Sequence, residues 1–133
     1  MQLAQLVKSY KSVAVTTATP GQLVLMLFDG ALRFLTAAER SFAEEHPLRR
    51  NESIHNNIVR AQNIILELQH SLDMRVEGGF PQRMFALYDF MNFQLNQANI
   101  KKDVAPIHVV SELLGEIRDA WAQMLETSAN QVR

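Results

Sequence analysis

Apolar side chains recur at helical spacing in four stretches of this chain, and nowhere do apolar and polar residues alternate long enough for a strand. The first stretch opens at Thr19-Pro20-Gly21-Gln22. Thr19 can cap, Pro20 suits a first helical position, and Gln22 three residues on completes a capping box. A helix is expected from there to about Glu45, stopping before Pro47. The second runs from about Asn51 to Leu72. Its stripe of Ile54, Ile58, Ala61, Ile65, Leu68 and Leu72 keeps one face apolar, with Gln69 off that stripe. The third follows Gly78-Gly79, with Pro81 in its first turn and a stripe of Met84, Leu87, Met91, Leu95 and Ala98. The fourth starts near Asp103, where Pro106 is tolerable because first-turn amides lack intrahelical partners. Its stripe is Ile107, Val110, Leu114, Ile117, Trp121 and Met124.

Each expected helix has about 20 to 26 residues, roughly 30–39 Å. Short connections between long helices favour antiparallel neighbours, so the fold class is all-α, an antiparallel up-down-up-down four-helix bundle. The bundle occupies 19–133 and an N-terminal arm occupies 1–18, one domain overall. Leu3, Leu6, Val7, Tyr10 and Val13 give the arm a weak apolar face, and Val13 to Thr17 is rich in residues that disfavour helix. The arm is expected to lie on the bundle.

Composition narrows the function. At 133 residues and 47 % apolar content the chain can build one core without staples. Its 13 basic and 14 acidic residues leave a net charge of −1. That excludes the cationic excess that nucleic acid binding needs. Cysteine is absent, so there are no disulfides or thiolate metal sites. Lys8 and Lys11 interrupt the early apolar stretch, against a signal peptide. The longest apolar run, Leu23 to Phe28, falls far short of the ~20 residues of a membrane span. A cytoplasmic protein with no membrane insertion is expected.

Two Glu-x-x-His pairs, Glu52 with His55 and Glu67 with His70, echo the di-iron signature of helical bundles. That site needs its pairs on different helices, whereas both lie on the second helix here. Solvated polar positions are the better reading. His108 and Glu112 supply only two ligands, too few for a zinc site. No nucleophile elbow, phosphate loop or dinucleotide glycine pattern is present. No catalytic residue, metal ligand or cofactor is therefore assigned. Gly30, inside the first helix, points to close packing of a helix against it, from within the bundle or from a partner.

One feature favours binding. Leu23, Val24, Leu25, Met26, Leu27 and Phe28 encircle the first helix, and a bundle core uses about half that circumference. Phe90 and Phe93 lie off the main stripe of the third helix. Such surplus marks an interaction surface or is covered by something else in the chain. Leu23, Met26, Leu27, Phe90 and Phe93 are the candidates for partner contact, and Met26, Met84 and Met91 suit a groove that adapts. Two readings compete with a binding protein. One is a metal-dependent bundle enzyme of di-iron type; the other is an obligate homodimer that buries the first helix.

Four segments resemble the FliS-type flagellar secretion chaperones: TATPGQLVLMLFDGALRF, AQNIILELQHSLDM, LYDFMNFQLNQANIKKD and LLGEIRDAWAQ. They fall in family order and spacing and cover nearly the whole chain after residue 10. The resemblance implies a cytoplasmic chaperone that binds the C-terminal helical region of flagellin. It would block premature filament assembly and deliver flagellin to the flagellar type III export machinery, with no cofactor and no enzyme activity. Val7 and Tyr10 match an aliphatic-x-x-Tyr pattern that the family associates with its partner groove. Phe80-Pro81-Gln82 departs from the family's usual Glu-Ile-Ala-type opening after Gly-Gly, which leaves the start of the third helix open.

Overall fold

The Thr19 capping box forms as the sequence dictates. In the computed structural model, which describes residues 19–132 (side chains through Asn130), Gln22 N–H donates to Thr19 Oγ1 at 3.1 Å. Thr19 N–H donates back to Gln22 Oε1 at 2.9 Å. The arm, with Val7 and Tyr10, lies outside the described residues.

Helix α1 spans Pro20–Ser41, α2 Pro47–His70, α3 Phe80–Lys101 and α4 Ala105–Val132. Two expected boundaries are corrected. α1 stops at Ser41 rather than near Glu45. Its tail loosens into turns in which Ala43 N–H reaches Arg40 O and Glu44 N–H reaches Ser41 O. Pro47 does not merely end α1; it opens α2, about a turn before Asn51, behind His46, whose Nδ1 accepts from Arg49 N–H at 3.3 Å. Proline at a first helical position forfeits no bond. Gly78 and Gly79 take φ of 103° and 80°, the left-handed turn that admits glycine freely, and α3 starts immediately after them. Lys102 closes α3 in the same left-handed region, at φ 49°.

Interhelical contacts run in opposite directions along each pair. Between α1 and α2, Ser41 meets Ser53 at 2.7 Å and the Phe34 ring lies under the Arg60 guanidinium. Between α1 and α4, Gly21 meets Trp121, Asp29 meets Arg118 and Glu39 meets His108. Between α2 and α3, His55 meets Asn99, Gln62 meets Asn96 and Gln69 meets Asp89. As one residue number rises its partner's falls, so these pairs are antiparallel, and α3 is then antiparallel to α4. Each helix packs on two neighbours, α1 and α3 lying across one diagonal and α2 and α4 across the other. This is the expected up-down-up-down bundle.

The core follows the predicted stripes for most of their length. Phe28, Ala31, Leu35 and Ala38 of α1 meet Ile54, Ile58, Ala61, Ile65 and Leu68 of α2. Met84, Tyr88, Met91, Leu95 and Ala98 of α3 and Ile107, Val110 and Leu114 of α4 complete it. Tyr88 takes the inward place expected of Leu87, which is half-buried. Burial pushes the Tyr88 hydroxyl up to about 12. Met84 and Met91 are core residues, not groove residues. On α4 the expected stripe fades: Ile117 and Trp121 are half-buried and Met124 is exposed. By length and composition α1 is apolar enough to cross a membrane, which the short Leu23–Phe28 run did not suggest. Its buried face and its polar Asp29, Arg33, Glu39 and Arg40 make it a bundle helix.

Gln69 is a further correction. It is 5 % exposed, and its amide donates to Phe85 O at 3.1 Å and Asp89 Oδ1 at 2.7 Å. One heptad earlier, Gln62 makes the same bidentate grip on Asn92 O (3.3 Å) and Asn96 Oδ1 (2.7 Å). A heptad before that, His55 Nδ1 meets Asn99 Nδ2 at 2.9 Å. A ladder of amides thus borders the α2–α3 seam.

Candidate partner-binding surface

The first two turns of α1 carry more apolar side chains than the core absorbs. Phe28 is buried, while Leu23, Val24, Leu25, Met26 and Leu27 are all half-buried. Val24 and Leu27 pack against the core cluster; Leu23, Leu25 and Met26 are not part of it. The excess on α1 is therefore real, and it is concentrated next to the point where the arm joins.

These turns are fixed from α4. The Trp121 indole N–H donates to Gly21 O at 2.9 Å, and its ring meets Phe28 edge-on at 6.3 Å between centroids. About two turns further along α1, Arg118 Nε donates to Asp29 Oδ1 at 2.7 Å and its NH1 to Asp119 Oδ1 at 3.2 Å. The two carboxylates raise the guanidinium's pKa further.

The second surplus lies on α3. Phe93 is 57 % exposed and Phe90 43 %, with Ile100 at 77 %. Ala86, Phe90, Phe93, Gln97 and Ile100 are spaced 4-3-4-3, so α3 presents an outward stripe opposite its core stripe. Because α1 and α3 share no contact, the structure does not gather the candidates into one patch. Leu23, Met26 and Leu27 lie on one helix, and Phe90 and Phe93 on the helix diagonally across. The groove between the outer faces of α1 and α2 is rimmed by charged Arg33, Arg40, Arg60 and Glu52 over an apolar floor that includes Leu32 and Ala37, and holds none of these candidates. At its rim Glu44 is held below the usual carboxylate range, first by the His46 backbone N–H and then by Arg49.

Among the described residues no group of three His, Asp or Glu side chains could hold a metal ion. His55 is committed to Asn99, and His108 Nε2 to Glu39 Oε1 at 3.3 Å. Sequence reasoning missed the amide ladder and the Trp121–Gly21 bond. The ladder had a signal in the heptad recurrence of His55, Gln62 and Gln69. The Trp121 bond had none, since its acceptor is a backbone carbonyl a hundred residues away.

Comparison with known proteins agrees with the geometry. The family model described as flagellar protein FliS matches residues 3–128. The flagellar secretion chaperone FliS of Bacillus subtilis (strain 168) is 39 % identical over 119 residues, covering 90 % of this chain and 85 % of that protein. The protein of the same name from Salmonella typhimurium is 35 % identical over 129 residues, covering 93 % of each. That from Escherichia coli K12 is 36 % identical over 113 residues, covering 84 % of this chain and 80 % of its own length. These relatives are named as chaperones rather than enzymes. With a four-helix bundle, a surplus apolar surface and collinear matches along almost its full length, the chain belongs to the FliS family of flagellar secretion chaperones.

Proposed function

We propose that this protein binds the C-terminal helical region of flagellin in the cytoplasm, keeps it from polymerising and hands it to the flagellar export apparatus. The observation that carries this reading is the half-exposed apolar excess of Leu23, Leu25 and Met26, in a chain of a flagellar chaperone family. Leu27 joins them from the edge of the core, and Phe90 and Phe93 offer a second contact on α3. An amphipathic segment that is unfolded before assembly can lay its apolar stripe on such a surface and order as it binds. Val7 and Tyr10 are proposed to meet or cover the same surface. No step requires nucleotide or metal.

Titration calorimetry with a C-terminal fragment of the flagellin from the same genome tests the reading. The expected result is a one-to-one complex, a rise in helicity beyond the sum of the parts, and a negative heat capacity change. Its size should match coupled folding that buries roughly 1,000–3,000 Å². Met26→Asp should weaken binding far more than Gln123→Asp, at an exposed position on α4. No binding at tens of micromolar by any flagellin of that genome would sink the proposal.

A further inference from the structure

We infer that Trp121 and Leu125 of α4 are positioning residues for the partner surface: they hold the first turn of α1 in place so that Leu23 and Met26 are presented in helical register. The inference rests on the reading of function given above. Helix α1 begins at Pro20, so its first turn is the part most prone to fray, with no helical carbonyl before it to accept from the Gly21 and Gln22 N–H groups. The capping box ties Thr19 to Gln22 but fastens neither to the rest of the molecule.

Two contacts supply that fastening. Trp121 Nε1–H donates to Gly21 O at 2.9 Å. Gly21 also has no side chain where α4 comes closest, and a Cβ built there would stand 2.6 Å from Leu125 Cδ2. The first turn therefore lies directly against Leu125, and the indole grips its carbonyl from the side. The Trp121 ring is itself oriented by Phe28, two turns into the core. Leu23 and Met26 follow Gly21 by two and five residues, within the stretch that the latch steadies. Loosening it lowers the fraction of molecules with an ordered α1 start, and apparent affinity falls by that same fraction.

The test uses the full chain and the same flagellin fragment, at a temperature where every variant is more than about nine-tenths folded. Trp121→Phe keeps a ring against Phe28 while removing the N–H donor and one ring of the indole. It is expected to weaken binding about 2- to 10-fold, the range set by one net hydrogen bond. Hydrogen exchange at the amides of the first two turns of α1 should quicken by a similar factor, with the α2 and α3 amides unchanged. Leu125→Ala removes the side chain that lies against the first turn of α1 and should weaken binding likewise. Trp121→Phe or Leu125→Ala that binds like the unaltered chain, or that quickens exchange equally in every helix, overturns the positioning role while leaving the chaperone reading intact. Failure of the unaltered chain to bind overturns both.

Discussion

Replacing Gln69 by Glu changes one NH₂ to one oxygen and should be among the more damaging conservative substitutions in the bundle. Gln69 is 5 % exposed, and its Nε2 serves two acceptors, Asp89 Oδ1 at 2.7 Å and Phe85 O at 3.1 Å. A glutamate there offers both acceptors a lone pair instead of a hydrogen. Losing the hydrogen bond to the Asp89 carboxylate costs about 1.5–3 kcal/mol. Two carboxylates about 4 Å apart repel by ~1 kcal/mol in water and ~4 kcal/mol at an effective dielectric of 20. Asp89 is exposed, so the repulsion lies near the lower figure. The expected loss at pH 7 is about 2–4 kcal/mol, read from urea unfolding followed by circular dichroism. Gln69→Met, which removes the donor without adding charge, should lose about 1.5–3 kcal/mol, less than Gln69→Glu by the repulsion alone. The sign of the pH effect is fixed. Acidification from pH 7 to about 4 protonates one of the paired carboxyls, restores an O–H donor, and shrinks the deficit of Gln69→Glu relative to the unaltered chain. A Gln69→Glu protein as stable as its parent at pH 7, or a deficit independent of pH, would refute the ladder.

Leu114→Ala removes a fully buried side chain and should cost about 2–5 kcal/mol in the same assay, with retained helicity. Asp29→Asn should cost less, about 0.5–1 kcal/mol, because the Asp29–Arg118 pair is about one-third exposed; added salt should narrow the difference. Tyr88, raised to about 12, should ionise late in ultraviolet difference titration. Because its folded value lies above that of the unfolded chain, roughly 2–3 kcal/mol of stability present below about pH 10 should disappear as pH rises to about 12. Deleting residues 1–16 should change affinity for the flagellin fragment and leave the far-ultraviolet spectrum of the bundle in place, as checked by calorimetry and circular dichroism.

Local signals in the chain were sufficient where the cause is local. The Thr19 box, the Gly78-Gly79 turn and most of the apolar stripes on α2 and α3 each act within a few residues, and each lies where the pattern puts it. The misreadings have tertiary causes. Gln69 looks solvated because it leaves the stripe, yet the neighbouring α3 offers it a carbonyl and a carboxylate. Trp121 and Met124 continue a perfect periodicity on α4, but Trp121 lies beside the first turn of α1, and along these last turns burial falls from half-buried Trp121 to exposed Met124. Pro47 carries two opposite local meanings, and which one applies depends on where the preceding chain reverses. For the surface, periodicity identified an excess on α1 and could not say which of six residues the core takes. That division is set by α2 and α4.

The cyclic order of the helices has a consequence for how the molecule is made. Three of its four helix contacts join segments consecutive in sequence, and only α1 with α4 closes a long loop. Such a topology has low contact order, and chains of this kind fold in microseconds to milliseconds. The α1–α2 and α2–α3 hairpins can form as soon as their helices are made, whereas the α1–α4 seam must wait for α4. Asp29→Asn, on that seam, should accordingly speed unfolding and leave the refolding rate nearly unchanged. Half-buried Trp121 would then report the final event of folding, the closing of the ring of helices.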